Sequence, residues 1–339
     1  MSDDFELRLE ALRKALSESP RSSQEKRQLQ RLISTTAELV ESNASSLDVK
    51  IASLALLEMT KAFEMFAPYR DVRKVTIFGS ARTTADNPIY SLAVHTAQSL
   101  SRAGFMVVTG AGPGIMEAGM LGAGRENSIG VSIRLPFETS ANSVIAGDEK
   151  HVSMRYFFTR KLMLVKESHA FLCMPGGFGT LDETFELLTL AQTAKSVPVP
   201  IVFLEVEGDP FWSPLMKTME PLLLNHGLIS SSDTSLYTIT DDINRAVDEI
   251  TTFYTNYHSI RFVKDRMYIR YLRPIPEIDF HLIRERFSSL AVDGEILQSG
   301  PSEEEIKDDD NVNLHRISLY YSGKGFADLR PLIDAINKY

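Results

Sequence analysis

VTIFGS, Val75 to Ser80, is an apolar, β-branched run that ends in glycine; a polar loop follows, then an amphipathic stretch from about Ile89 to Ala103. This reads as one strand and one helix. The unit recurs as FMVVTG before a helix from about Ile115, as SIGVSI before a loop, as AFLCMPGG before a helix from about Leu181, and as VPIVFLEV before a further helix. Runs apolar on both faces, alternating with helices, belong in a parallel sheet covered on each side. We therefore expect a doubly wound, Rossmann-like α/β domain over 71–255. Before it, Phe5, Leu9, Leu12 and Leu16, then Leu29, Leu32, Ile33 and Val40 fall at helical spacing, giving a helical N-terminal segment over 1–70. After it, RMYIRYL, a helix near Pro276 to Leu290, HRISLYY and a last helix from about Phe326 give a small α/β C-terminal appendage over 256–339. Within that appendage GPSEEEIKDDDN, Gly300 to Asn311, reads as a solvated acidic loop; it lacks the glycine and the spacing of a calcium loop.

The 339 residues carry 36 basic against 45 acidic side chains, a net charge of −9. That removes the general attraction that non-specific nucleic-acid or anionic-membrane binding requires, so an anionic ligand needs a local pocket. The single cysteine, Cys173, permits no intramolecular disulfide and no cysteine-based zinc site, and is expected to be a buried small hydrophobe. The seven histidines show no metal-ligand spacing and read as structural or surface residues. No metal or cofactor is expected. No run approaches a membrane span, and MSDDFELRLE is acidic where a signal peptide would be basic and then apolar. A cytoplasmic protein is expected.

Ligands of open α/β sheets sit outside the carboxyl ends of strands, where glycines let the chain turn and helix N-termini present free N–H groups. Three strand ends qualify. GSAR, Gly79 to Arg82, offers the Ser80 hydroxyl and a guanidinium, or simply an ordinary turn. TGAGPGIMEAG, Thr109 to Gly119, resembles a dinucleotide fingerprint, but after Gly110 and Gly112 the third glycine would fall at 115, which is Ile115, so a nicotinamide cofactor is not supported. Gly112 and Gly114 still open a helix, as a phosphate or ribose site or as a tight βα turn. No Gly-Lys-Ser or Gly-Lys-Thr occurs, which argues against triphosphate hydrolysis.

MPGGFGTLDE, Met174 to Glu183, is the most informative. Pro175 ends a strand, Gly176, Gly177 and Gly179 allow close backbone approach, and Thr180 adds a hydroxyl to the N–H groups of an anion cradle. Asp182 and Glu183 either complement the helix dipole or stand beside a phosphoribosyl group, stabilising a cationic sugar or activating water. Upstream, RYFFTRKLMLVKES, Arg155 to Ser168, is a helix with adjacent Arg160 and Lys161, solvated or turned to the same loop. Glu138 in RLPFETS lies at a strand's carboxyl end, where a carboxylate can accept from ribose hydroxyls or merely face solvent.

PGGFGTLDE resembles, at every fixed position, the PGGxGTxxE motif of the LONELY GUY proteins, phosphoribohydrolases long mislabelled as lysine decarboxylases. The Arg160–Lys161 pair, GAGPGIMEA and the Pro-x-Glu of LPFE accompany it, and the resemblance covers about Val72 to Ile250. It implies hydrolysis of a nucleoside 5′-monophosphate, AMP-like or in some members a cytokinin riboside monophosphate, to free base and ribose 5-phosphate. It further implies Arg160 and Glu183 as the catalytic pair, with Glu138, Lys161, Gly176, Gly177, Gly179 and Thr180 contacting the substrate. Asp182 stands where many members have Glu. The resemblance implies a homodimer or larger symmetric assembly, with the Arg-Lys helix near the interface. Decarboxylation of the other kind would need a pyridoxal phosphate lysine in a motif such as Ser-x-His-Lys, which is absent. The ends exceed those of short plant-type members, as in longer bacterial nucleosidases, and one flank is expected to gate the site or bind an effector nucleotide. Two rivals stand beside this reading: a non-catalytic nucleotide or molybdenum-cofactor carrier of the same fold, and a single-strand DNA binder. The first would have the cradle without a competent acid; the second is disfavoured by the charge of −9.

Overall fold

The computed structural model describes residues 3–134, 141–195, 197–323 and 327–339. Seven strands, β1 (Lys74–Phe78), β2 (Met106–Thr109), β3 (Ser128–Ile133), β4 (His151–Met154), β5 (Ala170–Cys173), β6 (Ile201–Leu204) and β7 (Thr238–Thr240), form one sheet in the order β4-β3-β2-β1-β5-β6-β7. Every neighbouring pair is parallel. All residues of β1, β2, β5 and β6 are buried, which is why these strands read as continuous apolar runs. β4 and β7 sit at the two edges; short and only partly buried, they lack the apolar run by which the others are legible, and neither is anticipated from sequence.

The chain begins in the middle of the sheet, winds outward through β2, β3 and β4, then crosses back to β5 on the other side of β1. The reversal lies between β1 and β5, and their carboxyl ends frame the crevice where such sheets take ligands.

Three helices precede β1: α1 (Asp3–Glu18), α2 (Ser23–Glu41) and α3 (Ser46–Phe66). Capping boxes start α2 (Ser22 with Glu25) and α3 (Ser45 with Asp48). The connections of the large sheet supply α4 (Pro88–Arg102), α5 (Ile115–Ala123), α6 (Phe157–Lys166), α7 (Phe178–Gln192) and α8 (Trp212–Asn225), and α9 (Ile243–Thr252) follows β7. α4 and α5 pack backbone to backbone: a Cβ at Gly122 would come within 2.1 Å of the Val94 carbonyl oxygen. Cys173 is fully buried in β5. No described helix is long and apolar enough to cross a membrane.

A second sheet follows, antiparallel, in the order β10-β11-β9-β8, from β8 (Tyr257–Val263), β9 (Arg266–Tyr271), β10 (Ala291–Ser299) and β11 (His315–Tyr321), with α10 (Glu277–Phe287), α11 (Glu303–Lys307) and α12 (Arg330–Ile336). The expected start of the last helix at Phe326 lies outside the described residues. The acidic stretch is not the solvated loop its composition implies. It forms α11, and Glu305 is fully buried, accepting from Arg270 Nη2 at 2.6 Å and from Arg316 Nε at 3.2 Å. Asp310 pairs with Arg270 and Arg261, and Asp308 with Arg261. The basic partners come from β8, β9 and β11, so composition along the acidic stretch could not show them.

Among the described residues, removing Glu305 takes the only carboxylate from buried Arg316, leaving it backbone carbonyls, and leaves buried Arg270 with Asp310 alone. Glu305→Ala is therefore expected to cost about 3–5 kcal/mol in denaturant unfolding. Glu304→Ala, which loses only an exposed pair with Lys264, should leave the unfolding midpoint essentially where it is.

Candidate active site at the sheet reversal

Beyond β1 the chain turns through Gly79 and Ser80; beyond β5 it turns through Met174, Pro175 and Gly176. Ser80 ties three loops together. Its N–H donates to the Pro175 carbonyl at 3.2 Å, and its own carbonyl accepts from Ile115 N–H, the first residue of α5, at 3.0 Å. Gly114 has φ +69°, and a Cβ there would lie 2.4 Å from the Ser80 carbonyl oxygen, so only glycine brings the loops this close. At Gly176 a Cβ would lie 2.2 Å from Thr180 Oγ1. Gly177 and Gly179 have no neighbour of that kind and border open space.

That space is a cleft of about 1390 Å³, larger than the usual range for a drug-sized ligand. α7 starts against it at Gly177 without a side-chain cap. Its first amides, from Phe178 to Thr180, have no partner among the described residues and are free to hold an anion. Neighbouring helices differ. The Glu205 carboxylate accepts from the amides of Phe211, Trp212 and Ser213 at 2.7 to 3.0 Å at the start of α8. Glu58 of α3 closes the start of α6, accepting from Arg155 N–H at 2.6 Å and from Thr159 Oγ1 at 2.7 Å. The N-terminal helices thus fasten the helix that carries Arg160, a link nearly 100 residues long that no local motif announces.

Glu183 lies just inside α7, and its side chain is 11% exposed. Burial pushes its carboxyl up to about 7, against the opposing pull of Arg160 and Lys161. Oε2 is buried with no hydrogen-bond partner. Oε1 lies 3.9 Å from Arg160 Nη1, a charge contact too long to be a hydrogen bond. Arg160 is itself held by donation from Nε to the Val131 carbonyl at 3.0 Å. Its guanidinium passes so close to Gly110 that a Cβ there would come within 2.0 Å of Nη2, which explains that glycine. Arg160 is thus held in place while neither oxygen of the Glu183 carboxylate is hydrogen-bonded among the described residues.

Of the residues singled out in sequence, Ser80, Gly112, Arg160, Gly176, Gly177, Gly179, Thr180, Asp182 and Glu183 line this cleft. Gly114 and Pro175 shape the loops behind it. Lys161 turns to Asp182 at 2.8 Å and Glu186 at 2.6 Å rather than joining the lining. Glu138 lies outside the described residues. Arg82, the guanidinium of GSAR, is in the lining too, and Arg134, Ser132 and His151 join it without having been singled out. The two arginines, with Arg160, make the cleft locally basic in an acidic protein. Ser132 stands on β3 and His151 on its neighbour, the edge strand β4, whose short HVSM run offers only a weak period-2 signal.

The cationic side chains lining the cleft are Arg82, Arg134 and Arg160, with no lysine among the described residues. A pyridoxal phosphate, which needs a lysine amine for its Schiff base, does not fit. Among the described residues no cluster of three or more His, Cys, Asp or Glu could hold a metal ion.

Because the folded Glu183 carboxyl sits near 7, above its ordinary value of 4.5, its favourable neutral form is fully present below about pH 4.5 and lost as pH rises through 7. Glu183→Gln should therefore match the wild type in unfolding near pH 4. By pH 8.5 it should be the more stable protein, by up to about 3 kcal/mol. Equal stabilities at both pH values would mean that the carboxyl is not held out of water.

Residues 113–250 match the family model described as "Possible lysine decarboxylase". Among curated proteins, the chain is similar to the probable cytokinin riboside 5′-monophosphate phosphoribohydrolase LOG6 of Arabidopsis thaliana, 34% identical over 85 residues, 25% of this chain and 41% of that one. It is similar to LOG4 of Oryza sativa subsp. japonica, described in the same words, at 25% identity over 189 residues, 53% of this chain and 77% of that one. It is also similar to the cytokinin riboside 5′-monophosphate phosphoribohydrolase LOG1 of Arabidopsis thaliana, 38% identical over 74 residues, 22% of this chain and 32% of that one. The chain thus spans less than half the length of two of these three relatives. Solved structures similar in part include the molybdenum cofactor carrier protein of Chlamydomonas reinhardtii, at 19% identity and TM-score 0.36, covering 52% of this chain and 94% of that one. Another is DNA processing protein A of Helicobacter pylori, at 16% identity and TM-score 0.38, covering 53% and 81%. PGGFGTLDE, the paired Arg160 and Lys161, the curated relatives and the family model matched over residues 113–250 together support a member of the LONELY GUY family.

Proposed function

We propose that this protein hydrolyses the N-glycosidic bond of nucleoside 5′-monophosphates, releasing a free base and ribose 5-phosphate. The carrying observation is Glu183, a buried carboxyl with one unbonded oxygen, placed just inside an uncapped helix N-terminus that can hold a phosphate. The names of the relatives, cytokinin riboside 5′-monophosphate phosphoribohydrolases, support the same chemistry. In this reading the 5′-phosphate rests on the amides from Phe178 to Thr180, and its binding energy positions the ribose. As the bond from C1′ to the base nitrogen breaks, its electron pair leaves with the base and positive charge grows on the ribose ring. Ionised Glu183 stabilises that charge and takes a proton from the water that attacks C1′; the departing nitrogen is protonated in turn. A carboxyl near 7 is well matched to this work, since a base is most effective when its pKa lies close to the working pH. Arg160 keeps the carboxylate from becoming still more basic and orients the phosphoribosyl group.

The proposal includes 71–255 as the catalytic unit, a cytosolic location and a homodimer. Phe157, Phe158 and Leu162 on α6 are 60%, 55% and 46% exposed and offer the dimer an apolar face beside the cleft. Flanks 1–70 and 256–339 are left to gate the site or bind an effector nucleotide.

Incubation with AMP, GMP, IMP, CMP, UMP, their nucleosides and isopentenyl-adenosine monophosphate should release base from monophosphates alone. kcat/KM should rise with pH through about 7 and level off above it, as Glu183 ionises. Glu183→Gln should lose that limb and about 10²–10⁴-fold in turnover. Tight nucleotide binding without base release would instead support a carrier. Light scattering should give twice the monomer mass, and Phe158→Glu should reduce it to the monomer.

A further inference from the structure

We infer that the neutral pair His151 and Ser132, at the β3–β4 end of the cleft, is the element that recognises the base of the bound nucleotide. The inference rests on the phosphoribohydrolase reading of the cleft. His151 Nε2 and Ser132 Oγ are 2.8 Å apart, and both side chains line the cavity. With Nε2 engaged, Nδ1 has no hydrogen-bond partner among the described residues. Burial lowers the histidine's pKa, Asp148 opposing, so the ring is uncharged at neutral pH and Nδ1 is left to a ligand, as donor or acceptor according to the tautomer. Together with the rotatable serine hydroxyl this matches the edge of a heteroaromatic ring, which carries donors and acceptors side by side; a phosphate would call for cations.

The order of groups along the cleft assigns the end. The uncapped amides of α7 form one terminus. Glu183 comes next, and 3.9 Å further Arg160, which reaches the Val131 carbonyl; Ser132 is the following residue of β3, paired across to β4. β5, which leads into α7, and β3 are three positions apart in the sheet, roughly 14 Å at about 4.8 Å per strand, so a nucleotide anchored on α7 lies across the strand ends toward β3. A phosphate on α7 with its C1′ at Glu183 therefore directs the base toward Ser132 and His151. Ala111 and Ile133, which also line this part, supply apolar surface for a ring. Arg134 stands at the rim, its Nε 3.4 Å from Ser153 Oγ, and makes a second phosphate the competing occupant.

Calorimetric titration of AMP, ADP, adenosine and ribose 5-phosphate separates these outcomes, using full-length Glu183→Gln protein so that nothing is turned over. Adding His151→Ala is expected to weaken AMP about tenfold or more and leave ribose 5-phosphate within twofold. Ser132→Ala should act in the same direction and serves if His151→Ala fails to fold. Equal weakening of AMP and ribose 5-phosphate, or no change in either, overturns the inference. So does ADP binding tighter than AMP with the advantage lost in Arg134→Ala, which assigns the end to a second phosphate. If the Glu183→Gln parent binds no nucleotide and no ribose 5-phosphate, the phosphoribohydrolase reading itself fails, and this inference with it.

Discussion

A carboxyl held out of water with one oxygen unbonded is the constraint around which the site is built. Buried polar atoms are nearly always hydrogen-bonded, and an ionised one without a partner is costly. Here the cost is limited in two ways. The proton affinity rises until the neutral form is accessible near pH 7, and Arg160 stands close enough to favour the charge without satisfying it. A direct hydrogen bond from Arg160 would hold the carboxylate ionised and occupied. At 3.9 Å the pair leaves the oxygens available to a ligand, and the remaining instability is the kind of local penalty that active sites carry while the surrounding fold supplies the stability.

Helix N-termini around the sheet show how that opening is kept selective. Each presents free amides, and each would attract an anion. At α8 the anion is internal, Glu205; at α6 it is Glu58, brought from a helix far upstream. α7 has no such partner, and the glycines at 177 and 179 leave room in front of it. The same carboxylate-on-amide interaction that closes two sites is withheld from the third, so a protein of net charge −9 still offers one well-defined place for an anionic ligand.

Outside the large sheet, charge has a different role. Glu305 with Arg270 and Arg316 forms a buried, mutually bonded group that links α11 to β9 and β11. All its partners are protein atoms, and nothing in it faces the cleft. The contrast with Glu183 is instructive: both are buried glutamates, but one is bonded at both oxygens by arginines and the other is left incomplete beside a cavity.

The residue pattern alone determined the parallel, doubly wound sheet, because strands buried on both faces must be continuous apolar runs, and it determined the glycine cradle, because close backbone approach leaves a local signature in PGGFGT. Glu183 was legible at the end of the longer PGGFGTLDE, and Arg160 only through the Arg-Lys pair that accompanies it in the family resemblance. The short edge strands were not, since half their residues face away from the core and interrupt the apolar run. Neither were Glu58 on α6, the Ser132–His151 pair, nor the arginines around Glu305, and for one reason: each is a contact between residues distant in the chain, whose local sequences are those of an exposed helix, an edge strand or an acidic loop. Only the tertiary structure decided that Lys161 turns away to Asp182 and Glu186 while its neighbour Arg160 reaches the cleft. Adjacent positions on a helix point about 100° apart, and which of them faces the ligand is set by what the helix packs against.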